Sequence, residues 1–79
     1  MKELLAAYAH DTWSGWMKYL FKKSVLSDEG AYIIPKNLVD RWTRQMKTMY
    51  EDLPEHEKES DRKEAETILS IIETGKYGP

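Results

Sequence analysis

The segment from Asp40 to Arg62 carries the side chains of this chain that are best suited to chemistry. It places arginines, a glutamine and a tryptophan in one predicted helix, and a proline-marked turn leads into a second helix that opens with charged residues. An arginine can grip a phosphate or a carboxylate with two parallel hydrogen bonds, and a tryptophan offers a flat face on which a base can stack. Polar groups set among aromatic rings therefore indicate a small-molecule site.

Each member of the candidate site has an expected role. Trp13, Trp16, Trp42 and Tyr50 provide stacking faces, the three arginines hold phosphates, and the remaining polar groups orient the ligand. The predicted ligand-binding residues are Trp13, Trp16, Arg41, Trp42, Arg44, Gln45, Thr48, Tyr50, Lys58, Asp61 and Arg62. The alternative is that the aromatic rings only build a core and that Arg62 pairs with Asp61 or Glu57.

Motifs for catalysis and for metal binding are missing from the sequence. It contains no glycine-rich phosphate loop, no HExxH, no CxxC and no GxSxG. His10 and Asp11 are neighbours on a predicted helix, so their side chains diverge. The spacing of Glu57 and Asp61 allows them to meet, but such pairs arise by chance in a run this acidic. We therefore predict a non-enzymatic protein that needs no cofactor and no metal.

The length of the chain limits its stability. Its 79 residues make one small domain, 1–79, and domains of this size bury only about 60 % of the surface of the unfolded chain. Cysteine is absent, so disulfides cannot compensate. Dense aromatic packing or self-association must supply the missing stability. We expect a homo-oligomer.

Charge and hydropathy argue against two classes of partner. The net charge is −2 and the pI about 5.6, whereas a nucleic-acid-binding domain normally carries a basic excess. No apolar run approaches the roughly 20 residues of a membrane span. The N-terminus has no apolar core of signal-peptide length. We expect a cytoplasmic protein that binds neither nucleic acid nor membrane.

The hydrophobic pattern predicts a mainly all-α fold, a small domain of three helices. We place the helices at about 2–23, 37–50 and 54–74, with Asn37 as an N-cap and Pro54 in the first turn of the last helix. An irregular connection follows the first helix, and its segment 31–34 is apolar and β-prone. If this segment forms a strand, it must pair with another segment or with another chain.

Two features of the helices allow two interpretations each. The apolar face of the third helix becomes charged towards its start, so that part either projects beyond the core or lines a site. Gly15 is either a surface residue or a point where another backbone or a ligand approaches. The tail should fray unless Tyr77 docks.

The second half of the chain resembles the ryanodine-receptor repeat domain. The similar motif is Leu-Pro-x-x-Glu-Lys-x-x-Asp-Arg, which runs from Leu53 to Arg62, followed by a closing Gly-x-Tyr that ends at Tyr77. His10 and Trp13 are similar to the His-x-x-Trp that opens the family domain. The glycine-containing turn of the family is missing, and residues 41–48 have no clear counterpart.

The chain as a whole resembles short proteins of tailed phages and their prophages. The similarity lies in a Trp-x-x-Trp-Met motif followed by Arg-Trp-x-Arg-Gln-x-x-Thr, which ends at Thr48. Small phage proteins of this kind include sponges that sequester nucleotide immune signals. The resemblance implies a homo-oligomeric anti-defence sponge for a cyclic-nucleotide or ADP-ribose-type ligand in the host cytoplasm.

Two other functions compete with the sponge. A helical interaction module or inhibitor would present an acidic face of the third helix to a host protein. DNA mimicry would require a denser negative surface than Lys58, Arg62 and Lys63 allow. The sponge needs Arg41 or Arg62 half-buried beside a tryptophan, whereas the interaction module needs both arginines exposed.

Overall fold

The computed structural model describes residues 1–78 and consists of three helices and one two-stranded sheet. This confirms the prediction of a mainly all-α fold with a short extended segment after the first helix. The elements are α1 (Lys2–Lys23), β1 (Val25–Leu26), β2 (Tyr32–Ile33), α2 (Lys36–Lys47), a 3₁₀ turn (Tyr50–Asp52) and α3 (Glu55–Thr74).

The connection after α1 folds as a β-hairpin. Val25 pairs with Ile33 in an antiparallel register, and the turn is closed by Ser27, whose hydroxyl accepts a hydrogen bond from the backbone N–H of Ala31. Gly30 takes a positive φ of 84° in this turn, which suits glycine because it has no Cβ. The apolar segment 31–34 therefore finds its strand partner within its own chain.

The predicted limits of α2 were wrong at both ends. The helix begins at Lys36, because the carbonyl of Pro35 accepts the N–H groups of Leu38 and Val39, and no side chain of Asn37 is needed as a cap. It ends at Lys47, because Thr48 adopts an extended conformation (φ −99°, ψ 130°). Residues 48–50 were expected to be helical, and a separate 3₁₀ turn replaces the last of them.

Pro54 also differs slightly from its predicted place. It is the N-cap of α3, and its carbonyl accepts hydrogen bonds from Glu57 and Lys58, so the helix begins at Glu55. The 3₁₀ turn and this proline together fix the corner between α2 and α3. That corner positions the candidate site.

The C-terminal tail docks on α1 through Tyr77. Its ring meets the ring of Tyr8 edge-on, with centroids 5.3 Å apart, and its hydroxyl donates a hydrogen bond to Asp11 at 2.5 Å. The Asp11 carboxylate raises the pKa of Tyr77 to about 12. Tyr8 in turn donates a hydrogen bond to Glu64 of α3. These polar contacts hold α1, α3 and the tail together.

The apolar core of the single chain is very small. Within residues 1–78 only Leu38 (9 % exposed) and Ile71 (2 % exposed) are buried. Their neighbours on the predicted apolar face of α3, Ile68, Leu69 and Ile72, are all exposed. The chain is accordingly a thin body measuring 45 × 33 × 16 Å.

Gly75 ends α3 in the left-handed conformation and offers a test of this fold. Its φ is +65°, and its N–H is donated to the carbonyl of Ile71. We expect Gly75→Ala to lower the free energy of unfolding by about 1 kcal/mol, because a Cβ disfavours positive φ. Gly75→Asn should cost less, since asparagine tolerates this conformation. Urea unfolding of both variants measures the difference, and equal losses would contradict the backbone explanation.

Candidate functional site

The candidate site is an open cleft of about 560 Å³ between α2 and the beginning of α3. The spacing of four residues on α2 places Arg41 and Gln45 on one wall, and Glu57 and Asp61 stand at the same spacing on α3. The lining residues are Arg41, Gln45, Met46, Leu53, His56, Glu57, Ser60 and Asp61. Three of the predicted ligand-binding residues, Arg41, Gln45 and Asp61, therefore meet in one cleft.

Arg41 is the cation of the cleft that is available to an anion. Its guanidinium donates a long hydrogen bond of 3.4 Å to the hydroxyl of Tyr19 and forms no salt bridge with any carboxylate of residues 1–78. The Tyr19 ring lies against Trp42, with centroids 6.4 Å apart. An aromatic pair thus flanks an exposed arginine whose charge is not neutralised within the described chain.

Arg44 and Glu57 form an ion pair across the corner. The Arg44 guanidinium donates to Glu57 Oε2 at 2.6 Å, and the Glu57 side chain is only 11 % exposed. The hydrogen bond from Arg44 holds the pKa of Glu57 below its ordinary value, against the opposing effect of desolvation. The guanidinium of Arg44 is therefore paired with Glu57 and is not available to bind a phosphate.

The second oxygen of Glu57 is unusual. Oε1 is buried and has no hydrogen-bond donor among residues 1–78. A buried acceptor without a donor costs free energy. A hydrogen-bond donor that reached this oxygen of Glu57 would therefore stabilise the chain.

Lys58 and Arg62 are compensated on their own helix. Arg62 lies 3.0 Å from Glu55 and 3.5 Å from Glu59, and Lys58 lies 3.6 Å from Glu55. Lys58 also lies over the ring of Tyr50, at 5.7 Å from its centroid. The alternative considered above, an intramolecular ion pair of Arg62, is what the structure shows, but the partners are Glu55 and Glu59 of the same helix and not Asp61 or Glu57.

The remaining predicted residues lie apart from the cleft. Trp13 and Trp16 are on α1, 55 % and 60 % exposed, and Trp16 lines a separate groove. The Thr48 hydroxyl donates to the backbone carbonyl of Arg44. The described chain alone therefore does not bring the tryptophans of α1 to the arginines of α2.

The sequence reasoning did not select four of the residues that build the cleft, and it weighed Glu57 only as an ion-pair or carboxylate partner. Once the start of α3 is known, the spacings of three and four residues place Glu57, Ser60 and Asp61 on one face. No similar signal marks Met46 or Leu53, since their place depends on the angle of the corner. The unselected residues are Met46, Leu53, His56 and Ser60.

Comparisons with protein-family models, with curated proteins and with solved structures found no match to this chain. Among the helices of residues 1–78, none combines the length and the apolar composition that a bilayer span requires. The functional argument therefore rests on the residues of the cleft.

Proposed function

We propose that this chain is a non-enzymatic protein that binds a nucleotide-type small molecule in the cleft beside Arg41. The observation that carries the proposal is the difference between the three arginines. Arg44 and Arg62 are neutralised by carboxylates, whereas Arg41 has none within residues 1–78. A guanidinium of this kind can bind a phosphate with two hydrogen bonds.

The carboxylates of the cleft restrict the ligand further. Glu57 and Asp61 line the same space as Arg41, so a ligand that carries only phosphate would meet like charge there. A nucleotide combines phosphate with the N–H and O–H donors of its base and ribose. Those donors suit the exposed carboxylate of Asp61, while Gln45 can both donate and accept.

The size of the cleft is compatible with such a ligand. Small-molecule sites in proteins usually span about 300–1,000 Å³, and this one has about 560 Å³. Tyr19 and Trp42 lie next to Arg41, outside the lining of the cleft. Together with the resemblance to short phage proteins, this supports a cytoplasmic anti-defence sponge for a cyclic-nucleotide or ADP-ribose-type signal.

A ligand panel tests the proposal. We expect one class among cyclic dinucleotides, cyclic trinucleotides, cyclic ADP-ribose isomers and ordinary nucleotides to raise the melting temperature by several degrees. A ligand at about 100 times its Kd adds roughly 2.7 kcal/mol to the free energy of unfolding, which is a large effect in a domain this small. Differential scanning fluorimetry measures the shift. A flat panel at millimolar ligand would refute nucleotide binding.

Binding of a host protein is the second candidate function, and the exposure of the α2–α3 corner favours it. Met46 and Met49 are 77 % and 66 % exposed, and the acidic residues Glu51 and Asp52 follow them in the chain. Arg41 and Arg62 are both exposed in the single chain. The single chain therefore meets the condition for an interaction module and does not meet the half-burial of an arginine beside a tryptophan that the sponge needs. A flat ligand panel, combined with a host protein captured by the native chain and lost in Met46→Glu, would favour this function.

A further inference from the structure

We infer that the groove between α1 and α3 is the surface on which a second copy of this chain docks. The groove has a volume of about 420 Å³, and its wall is almost entirely carbon. It is lined by Leu5, Tyr8, Ala9, Thr12, Trp16, Glu64 and Ile68. It shares no residue with the Arg41 cleft, so this inference does not depend on the proposed ligand.

The first argument is the surface area of the chain. Its accessible surface is 6530 Å². A compact monomer of 9.3 kDa has about 5,000 Å², so this chain exposes roughly 1,500 Å² more than expected. The radius of gyration is 15.7 Å, against about 11.6 Å for a compact domain of this length. A standard interface covers about 800 Å² on each partner, so the excess surface of the whole chain is large enough to include one such interface.

The second argument is that large apolar side chains that line the groove are exposed to solvent in the single chain. Trp16 is 60 % exposed at its edge, and Ile68 is 38 % exposed on the opposite wall. Exposed large apolar side chains in a contiguous surface mark an interaction site. Aromatic residues of this kind are typical anchors at the centre of an interface.

The third argument identifies the occupant. With two buried apolar side chains among residues 1–78, the single chain has little core with which to offset the entropy of folding. The covering partner must therefore be present whenever the chain folds. A second copy is present wherever the chain itself is made, and its docking strengthens as protein concentration rises, whereas a foreign partner must be supplied separately. Obligate homodimers commonly have no stable folded monomer for this reason.

The symmetry of the groove suits two identical copies. In a two-fold interface the same patch serves both chains, so a protruding residue of one copy fills a depression of the other. Trp16 lines the groove and is 60 % exposed, and Ala9, which also lines it, has a small side chain. We assign Trp16 as the anchor that enters the groove of the second copy.

Sedimentation velocity of the native chain is the first part of the test. We expect a mass of two or more chains of 9.3 kDa each, and a melting temperature that rises with protein concentration. A folded species that sediments as a monomer would overturn the inference.

Thiol protection is the second part, and it identifies the face. The chain has no cysteine, so Ala9→Cys and Ala7→Cys each introduce a single thiol. Both alanines are exposed on α1 in the single chain, but only Ala9 lies in the groove. We expect maleimide to label the Ala9→Cys thiol at least about tenfold more slowly than the Ala7→Cys thiol, because a covered thiol reacts only through transient opening.

The two measurements together give a decisive result. Oligomers with a protected Ala9→Cys thiol support the inference. Oligomers in which both thiols react equally fast would show that another face mediates association, and would overturn it. If Ala9→Cys does not fold, sedimentation of Trp16→Ala and of Trp13→Ala replaces it. Trp13 is also an exposed tryptophan of α1 but lies outside the groove. We expect Trp16→Ala to weaken association strongly and Trp13→Ala to leave it nearly unchanged, and equal or reversed effects would overturn the assignment.

Discussion

Replacing Arg41 with alanine should weaken the binding of the nucleotide-type ligand about 10- to 100-fold without unfolding the chain. A hydrogen bond to a charged group contributes about 1.5–3 kcal/mol, and tenfold in affinity corresponds to about 1.4 kcal/mol. Arg41 is exposed, and its one hydrogen bond within the described chain is the long contact with Tyr19, so its loss should cost little stability. Isothermal titration calorimetry with the ligand found in the panel measures the change.

Two further variants separate a specific contact from general charge. Lys47→Ala removes one positive charge from the last turn of the same helix, outside the cleft, and should leave the affinity almost unchanged. Arg41→Lys keeps the charge but loses the planar fork, so an intermediate affinity is expected. Equal losses in Arg41→Ala and Lys47→Ala would contradict the role of Arg41 and reduce the effect to net charge.

Replacing Ile71 with alanine should produce the largest loss of stability of any single substitution in this chain. Ile71 is 2 % exposed, and truncation of a buried isoleucine costs about 2–5 kcal/mol. A domain of this size has little reserve, since the total stability of natural domains is about 5–15 kcal/mol. We expect the variant to be largely unfolded at 37 °C, as measured by circular dichroism during urea and thermal unfolding.

The adjacent residue is the matched control. Ile72 has the same side chain on the same helix but is 50 % exposed. Ile72→Ala should therefore cost less than half as much as Ile71→Ala at one fixed protein concentration. If the two losses were equal, Ile71 would not be the residue that anchors α3.

The helices could be predicted from the sequence because their signals are local. Apolar residues that recur every three or four positions predicted α1 and both of its ends, Lys2 and Lys23. Gly75 marked the end of α3. The ends of α2 were predicted less well, because the helix begins one residue before Asn37, which therefore lies inside the first turn and is not the cap. The extended conformation of Thr48, which ends the helix, could not be predicted from the types of the residues around it.

The candidate site was predicted only in part, for a physical reason. Residue type alone identifies arginines and tryptophans as able to bind a nucleotide. It does not show which of the arginines already form ion pairs with carboxylates. The carboxylates of Glu55, Glu57 and Glu59 decide that question for Arg44 and Arg62. The pair of Arg44 with Glu57 spans thirteen residues and depends on the angle of the corner, whereas the pairs of Arg62 form within α3 at spacings of three and seven residues.

The sequence by itself determined the class of the fold, the absence of disulfides and the chemistry that its side chains can perform. These properties depend on composition and on periodicity along one helix. Only the tertiary structure decided that, within residues 1–78, Arg41 forms no salt bridge and Oε1 of Glu57 has no well-aligned donor, and that α1 and α3 leave an apolar groove between them. The reason is that ion pairing and burial depend on distances between elements, and the connections that set those distances carry few constraints in their residue types.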